Sequence, residues 1–133
     1  MQKWETRILR IGWILLFVNG IAILGFGIAI AMFPRIAAGV PAEEGLARAI
    51  GVATTGMGIF GVMITLGPYR RKRERWAWFT LWYYPLFWAV HLVAGLPPGS
   101  EHIHQIVFII LSLLGLLLPA GQFFQARSIS NRS

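Results

Sequence analysis

Residues 11–33 read IGWILLFVNGIAILGFGIAIAMF, an uninterrupted run without a charged side chain that ends at Pro34. A helix rises ~1.5 Å per residue and the hydrocarbon core of a bilayer is ~30 Å thick, so roughly 20 apolar residues make one crossing. The run is long enough to cross as a helix. It is too long for a barrel strand and shows no polar alternation. Three more segments follow the same rule. Leu46 to Leu66 is closed by Gly67-Pro68, and Trp76 to Leu96 by Pro97-Pro98-Gly99; Ile103 to about Phe124 carries Pro119 in its last third. A proline just past a helix has neither the donor nor the room to continue it, and one inside bends it. These segments predict an all-α fold, an integral-membrane bundle of four transmembrane helices in a single domain over residues 1–133. The spans fall at about 11–33, 46–66, 76–96 and 103–124.

Composition agrees with that layout. Of 133 residues, 56% are hydrophobic and only 13% charged, more apolar surface than a soluble domain of this size can hide. The absence of cysteine excludes thiol catalysis, iron–sulfur ligation and disulfides. The first apolar run also exceeds the ~7–15 residues of a signal-peptide core, which favours a retained span.

The charges set a direction. Lys3, Arg7 and Arg10 precede the first span, Arg70, Arg71, Lys72, Arg73 and Arg75 join the second to the third, and Arg127 and Arg132 follow the fourth. Only Arg35 and Arg48 belong to the opposite side. Basic residues flanking spans stay in the cytoplasm, so both termini and the middle loop are expected inside. Glu5 and Glu74 share the inner side. Glu43, Glu44, Glu101, His102 and His104 gather on or just below the outer face, with His91 near the outer end of the third span.

The second span carries Ala47, Gly51, Thr54, Gly58, Gly61 and Thr65 at spacings of four and three. This is one helical face of small side chains, and in lipid such faces let two backbones approach closely. Asn19 in the first span needs a hydrogen-bond partner in hydrocarbon, for which another helix serves better than a ligand.

The third span is rich in aromatic residues. Trp76, Trp78 and Phe79 suit the cytoplasmic interfacial belt. Tyr84 and Trp88, about 12 and 18 Å along the axis from Trp76, lie too deep for it. Pro85 between them frees the Leu81 carbonyl and is expected to bend the helix. Thr80, Tyr84, Trp88 and His91 recur at four, four and three, drawing one face of hydroxyl, phenol, indole and imidazole. Such a face either packs in the bundle with its polar tips satisfied or lines a cavity for a flat, mostly apolar ligand. Across a short turn, His104 and Gln105 open the fourth span at the same depth. The candidate ligand-binding set is therefore Thr80, Tyr84, Trp88, His91, His104 and Gln105.

His91 and His104, with a carboxylate from Glu101, Glu43 or Glu44, would supply the donors for a metal site. His102 and His104 stand two apart on a helix and cannot share an ion, and no dense metal motif is present. Interfacial histidines bonded to headgroups, water or each other account for the same residues, and the sequence names no cofactor. The basic run from Pro68 to Arg75 is a short hairpin at the membrane surface, where each cation gains ~1 kcal/mol from an anionic leaflet. Nucleic acid is not an expected partner.

The succession Arg48-Ala-Ile-Gly51, Pro68-Tyr-Arg-Arg71, Glu74-Arg-Trp-Ala-Trp78, Tyr84-Pro85 and His91 resembles small four-helix bacterial membrane proteins of the DoxX-like kind, over roughly residues 45–95. The resemblance implies a four-helix layout and a bacterial inner-membrane location, and it transfers no catalytic residue. Two functions lead, with a channel or ion-coupled transporter third because no span carries Asp, Glu, Lys or Arg in its middle. One is a non-enzymatic accessory subunit or binder of a lipid-like or quinone-like molecule. Its partners would be membrane lipids, a hydrophobic small molecule, and a second protomer or larger membrane complex. The other is a membrane enzyme for a lipophilic substrate, using His91 and His104 as acid–base pair or metal ligands.

Overall fold

All but the last residue of the run at 11–33 lies in one long helix, α1 (Lys3–Met32), which begins well before the apolar stretch. The computed structural model of the protein describes residues 3–36, 38, 40–94 and 103–124, and among these no strand occurs. Short 3₁₀ turns at Pro34–Ile36 and Pro41–Glu43 lead into α2 (Glu44–Ile64). There Pro41 presets the first turn, and Glu43 and Glu44 lie where the helix dipole favours acids. The remaining helices are α3 (Arg75–Thr80), α4 (Tyr83–Ala94) and α5 (Ile103–Leu117), with a further helical turn at 120–124. Two stretches, Lys3–Met32 and Pro41–Tyr69, are long and apolar enough to cross a membrane.

α1 and α2 form the tightest seam. The buried residues of α2 are Ala47, Gly51, Thr54, Gly58 and Gly61, continued by Thr65, which is the small-residue face expected from spacing. A methyl on Gly58 would lie 2.6 Å from the Leu24 backbone, and one on Gly51 would lie 2.8 Å from that of Ile30, so hydrogen at these positions is what allows the approach. Gly27 answers from α1, where an added Cβ would meet the Thr54 carbonyl carbon at 2.8 Å. The α1–α5 crossing repeats the device: Gly12 and Gly115 face each other, each blocked from bearing a side chain by the other's carbonyl at 2.9 Å.

Pro68, Pro85 and Pro119 each shape a helix, Pro68 and Pro85 not quite as the sequence suggests and Pro119 as an interruption of the fourth segment where one was expected. The second helix does not stop at Leu66. It continues through Pro68 as a π-helical turn, Thr65–Tyr69, closed by Arg70 N–H donating to the Thr65 carbonyl at 3.0 Å. The wider ring accommodates a residue that has no N–H to give. Tyr69 is thereby carried out of the basic loop and buried, its ring 4.6 Å from that of Phe123.

The third segment is two helices. The break falls at 81–82, a turn ahead of Pro85, which therefore sits in the first turn of α4, where a missing N–H costs nothing. The Leu81 carbonyl is taken by Tyr84 N–H at 3.1 Å. In the fourth segment Pro119 ends α5 at a turn, 118–119, and cannot donate to the Gly115 carbonyl. The Tyr69 hydroxyl donates to that carbonyl instead, at 2.6 Å, and Trp78 Nε1 donates to the next one, Leu116, at 2.9 Å. One kink is thus satisfied by side chains from two other elements.

Candidate functional site

Tyr84 and Trp88 of the aromatic segment join the core, and their polar tips are spent inside it, while Trp76 and Phe79 stay exposed. Trp88 is 2% exposed; its ring stacks on Phe108 at 4.8 Å and 16°, and its Nε1 donates to Asn19 Oδ1 at 3.1 Å. Asn19 Nδ2 in turn donates to the Leu15 carbonyl at 3.0 Å. The buried amide therefore has a partner on another helix, as a polar group sealed from solvent requires. Tyr84 is fully buried. Its hydroxyl lies 3.4 Å from Thr65 Oγ1, which itself donates to the Gly61 carbonyl at 2.7 Å, and the bare Gly20 and Gly61 make room for the phenol tip.

The six residues singled out in the sequence separate into three groups. Thr80 leaves the set: it is exposed, and its hydroxyl donates to the Trp76 carbonyl at 2.7 Å. The turn at 81–82 breaks the helical register that would have aligned it with Tyr84, and Leu81 takes the buried place. Tyr84, Trp88 and Gln105 are sealed within the core. His91 and His104 are half-buried on either side of Trp88, with imidazole-to-indole centroid distances of 6.3 and 6.2 Å. Glu101 and His102 lie outside the described residues. Among the described residues no three histidines or acids converge where a metal ion would sit.

An open groove lies beside this core, between α2 and α4. Met57, Tyr83, Leu86, Phe87, Val90 and His91 line it, and its volume is about 260 Å³. The two helices meet here through side chains rather than backbones: Tyr83 donates its hydroxyl to the Met57 carbonyl at 2.7 Å, closing one end. Towards the other end His91 lies over Phe87, ring centroids 4.3 Å apart, with the edge of Phe26 from α1 at 5.8 Å. His91 Nδ1 is 2.8 Å from the Phe87 carbonyl, which only accepts, so in the neutral ring this nitrogen carries the proton and Nε2 is an acceptor.

Of these residues only His91 was anticipated. Tyr83, Phe87 and His91 nevertheless stand at four-residue spacing, with Leu86 and Val90 beside them, so the row is visible in the sequence, though not which of the aromatic faces stays open. At the opposite end of α2 an exposed ion pair, Arg35 Nε to Glu44 Oε1 at 2.8 Å, fastens the first connection; a pair so open to solvent adds little stability. Compared with protein-family models, curated proteins and solved structures, the chain matches none.

Proposed function

We propose that the chain is a multi-pass protein of the bacterial inner membrane, with four spans and both termini in the cytoplasm, and that it holds a lipid-like or quinone-like molecule in the groove between α2 and α4. The membrane part draws support from a sidedness opposite to that of a soluble bundle. The buried row of α2 is Ala, Gly and Thr, while its exposed face carries Ile50, Met57, Phe60 and Met63, and the exposed face of α1 carries Ile14, Val18, Ile21 and Ile28. Large apolar side chains outside and small ones inside suit lipid as the surrounding medium and van der Waals contact as the force between helices. In this reading α3 with α4, and α5 with the turn at 120–124, are the third and fourth spans, each broken by a proline-linked turn whose carbonyls are satisfied within the protein, as hydrocarbon demands.

The observation that carries the ligand reading is the groove: a carbon-lined recess open to the surroundings, closed at one end by the Tyr83–Met57 hydrogen bond and bordered by one imidazole. Small hydrophobic ligands favour sites of this kind, mostly apolar with few polar groups to fix orientation. Val90→Trp fills the groove, whereas Val93→Trp adds the same bulk on a side chain that is 87% exposed and not part of the lining. Mass spectrometry of small molecules co-purified in mild detergent should find a hydrophobic species that is lost from the first variant and retained by the second. Equal recovery from both would remove the groove as the site. The enzymatic alternative draws on one observation, the two imidazoles flanking Trp88, and would gain support from turnover of the bound species that His91→Gln abolishes while binding persists.

A further inference from the structure

The basic loop is more than a uniform band of charge, because its arginines are held differently. Arg75 is committed to structure: its Nε and Nη2 lie 3.4 Å from the Phe123 and Phe124 carbonyls, and its guanidinium covers the Phe124 ring at 5.1 Å. Arg70 is held by a cation–π contact. Its guanidinium carbon sits 4.2 Å from the Trp13 ring centroid on α1, while the residue as a whole remains exposed. A guanidinium held against an indole ring by cation–π attraction keeps its N–H donors for other partners, and the planar fork they form can take two phosphate oxygens at once.

Two further features converge there. Arg10, also exposed, stands three residues before Trp13 on α1, on the same flank and about one turn nearer the N-terminal end. On the other side of Trp13, Phe17 meets its ring edge-on at 6.4 Å, so the flank descends from two cations through an indole to a phenyl ring. Tryptophan at headgroup depth with cations above and apolar rings below matches a phospholipid standing alongside.

We propose that Arg70, pre-positioned on Trp13 with Arg10 beside it, forms a discrete site for an anionic phospholipid of the cytoplasmic leaflet. The phosphodiester is held by the two guanidinium groups and the upper acyl chain runs along Trp13 and Phe17. The site rests on the membrane-spanning reading proposed above, and it is independent of the groove. The cation–π contact restrains the Arg70 side chain before the lipid arrives, so less rotamer freedom is lost on binding than at the other exposed basic residues of the loop.

The test is native mass spectrometry of the full chain ejected from nanodiscs that contain equal amounts of phosphatidylglycerol and phosphatidylcholine with the same acyl chains. The wild type should retain phosphatidylglycerol with about a tenfold preference, Arg70→Gln should lose most of it, and Lys72→Gln, which removes the same charge two residues away, should keep it. Arg70→Lys holds the charge but not the planar fork, so it should fall between wild type and Arg70→Gln, and it remains informative if Arg70→Gln fails to fold. Equal losses in Arg70→Gln and Lys72→Gln, an Arg70→Lys indistinguishable from wild type, or no preference in the wild type would each overturn the site while leaving the membrane reading intact. A chain that does not enter nanodiscs of either lipid would overturn both.

Discussion

Gly58 and Gly56 stand two residues apart on α2 and provide a controlled test of the α1–α2 seam, because the same methyl group meets opposite surroundings at the two positions. At Gly58 the added carbon would lie 2.6 Å from both the Cα and the N of Leu24 and 2.8 Å from its Cβ; at Gly56 nothing lies within 4 Å. Carbon atoms rest at ~3.5–4.0 Å, so Gly58→Ala demands about 1 Å of separation from a neighbouring backbone that no rotamer change supplies. Overpacking of this kind costs ~1–3 kcal/mol. Gly56→Ala carries no such cost and gains up to ~1 kcal/mol from replacing glycine within a helix. The gain from replacing a helical glycine is common to both variants, so they should differ by the overpacking cost alone, ~1–3 kcal/mol, with Gly58→Ala at or below the wild type and Gly56→Ala at or above it. Thermal unfolding in one detergent, followed by circular dichroism, reads the order directly. A Gly58→Ala protein as stable as Gly56→Ala would refute close backbone contact at this position, and with it the packing argument for the whole small-residue face.

Tyr69→Phe should destabilise the protein by ~1–3 kcal/mol, because it leaves the Gly115 carbonyl buried without a donor; Pro119→Ala introduces an N–H four residues on, so adding it to Tyr69→Phe should recover part of the loss in the same unfolding assay. Asn19→Ala should cost a comparable amount by orphaning Trp88 Nε1, and a double-mutant cycle with Trp88→Phe should return a coupling energy of ~0.5–3 kcal/mol; strict additivity would show that the Asn19–Trp88 hydrogen bond contributes nothing.

How far the sequence could be read depended on whether a feature is local to one helix. The small face of α2 was legible in full, since side chains at three- and four-residue spacing share a face whatever lies opposite. Asn19 was recognisable as a group in need of a partner and Trp88 as an indole too deep for the interface, yet their pairing depends on how α1 and α4 cross, which no spacing encodes. Pro119 interrupts the fourth segment as expected, but the devices that accommodate the three prolines differ and are not encoded by the proline itself. Pro68 is absorbed by a π turn that buries Tyr69. Pro85 marks the start of a new helix rather than a bend within an old one. Pro119 strands a carbonyl that a tyrosine from another element takes up. The break at 81–82 accounts for the largest error in the candidate site. It sends Thr80 outward; that Tyr83, Phe87 and His91 form the accessible row while the adjacent Tyr84 and Trp88 are consumed in packing depends on which face α4 turns to its neighbours, which its own spacing does not encode.

The proposed four-span arrangement with both ends inside underlies the proposed function and the lipid site, and one measurement addresses it directly. Because the chain contains no cysteine, single cysteines at Ala42, Lys72, Ser100 and Ser130 each report one side of the membrane through reaction with an impermeant thiol reagent. The proposed topology predicts labelling of Ala42→Cys and Ser100→Cys in intact cells, and labelling of Lys72→Cys and Ser130→Cys only after the membrane has been opened. Labelling at Lys72 or Ser130 in intact cells, or protection at Ser100, would contradict it.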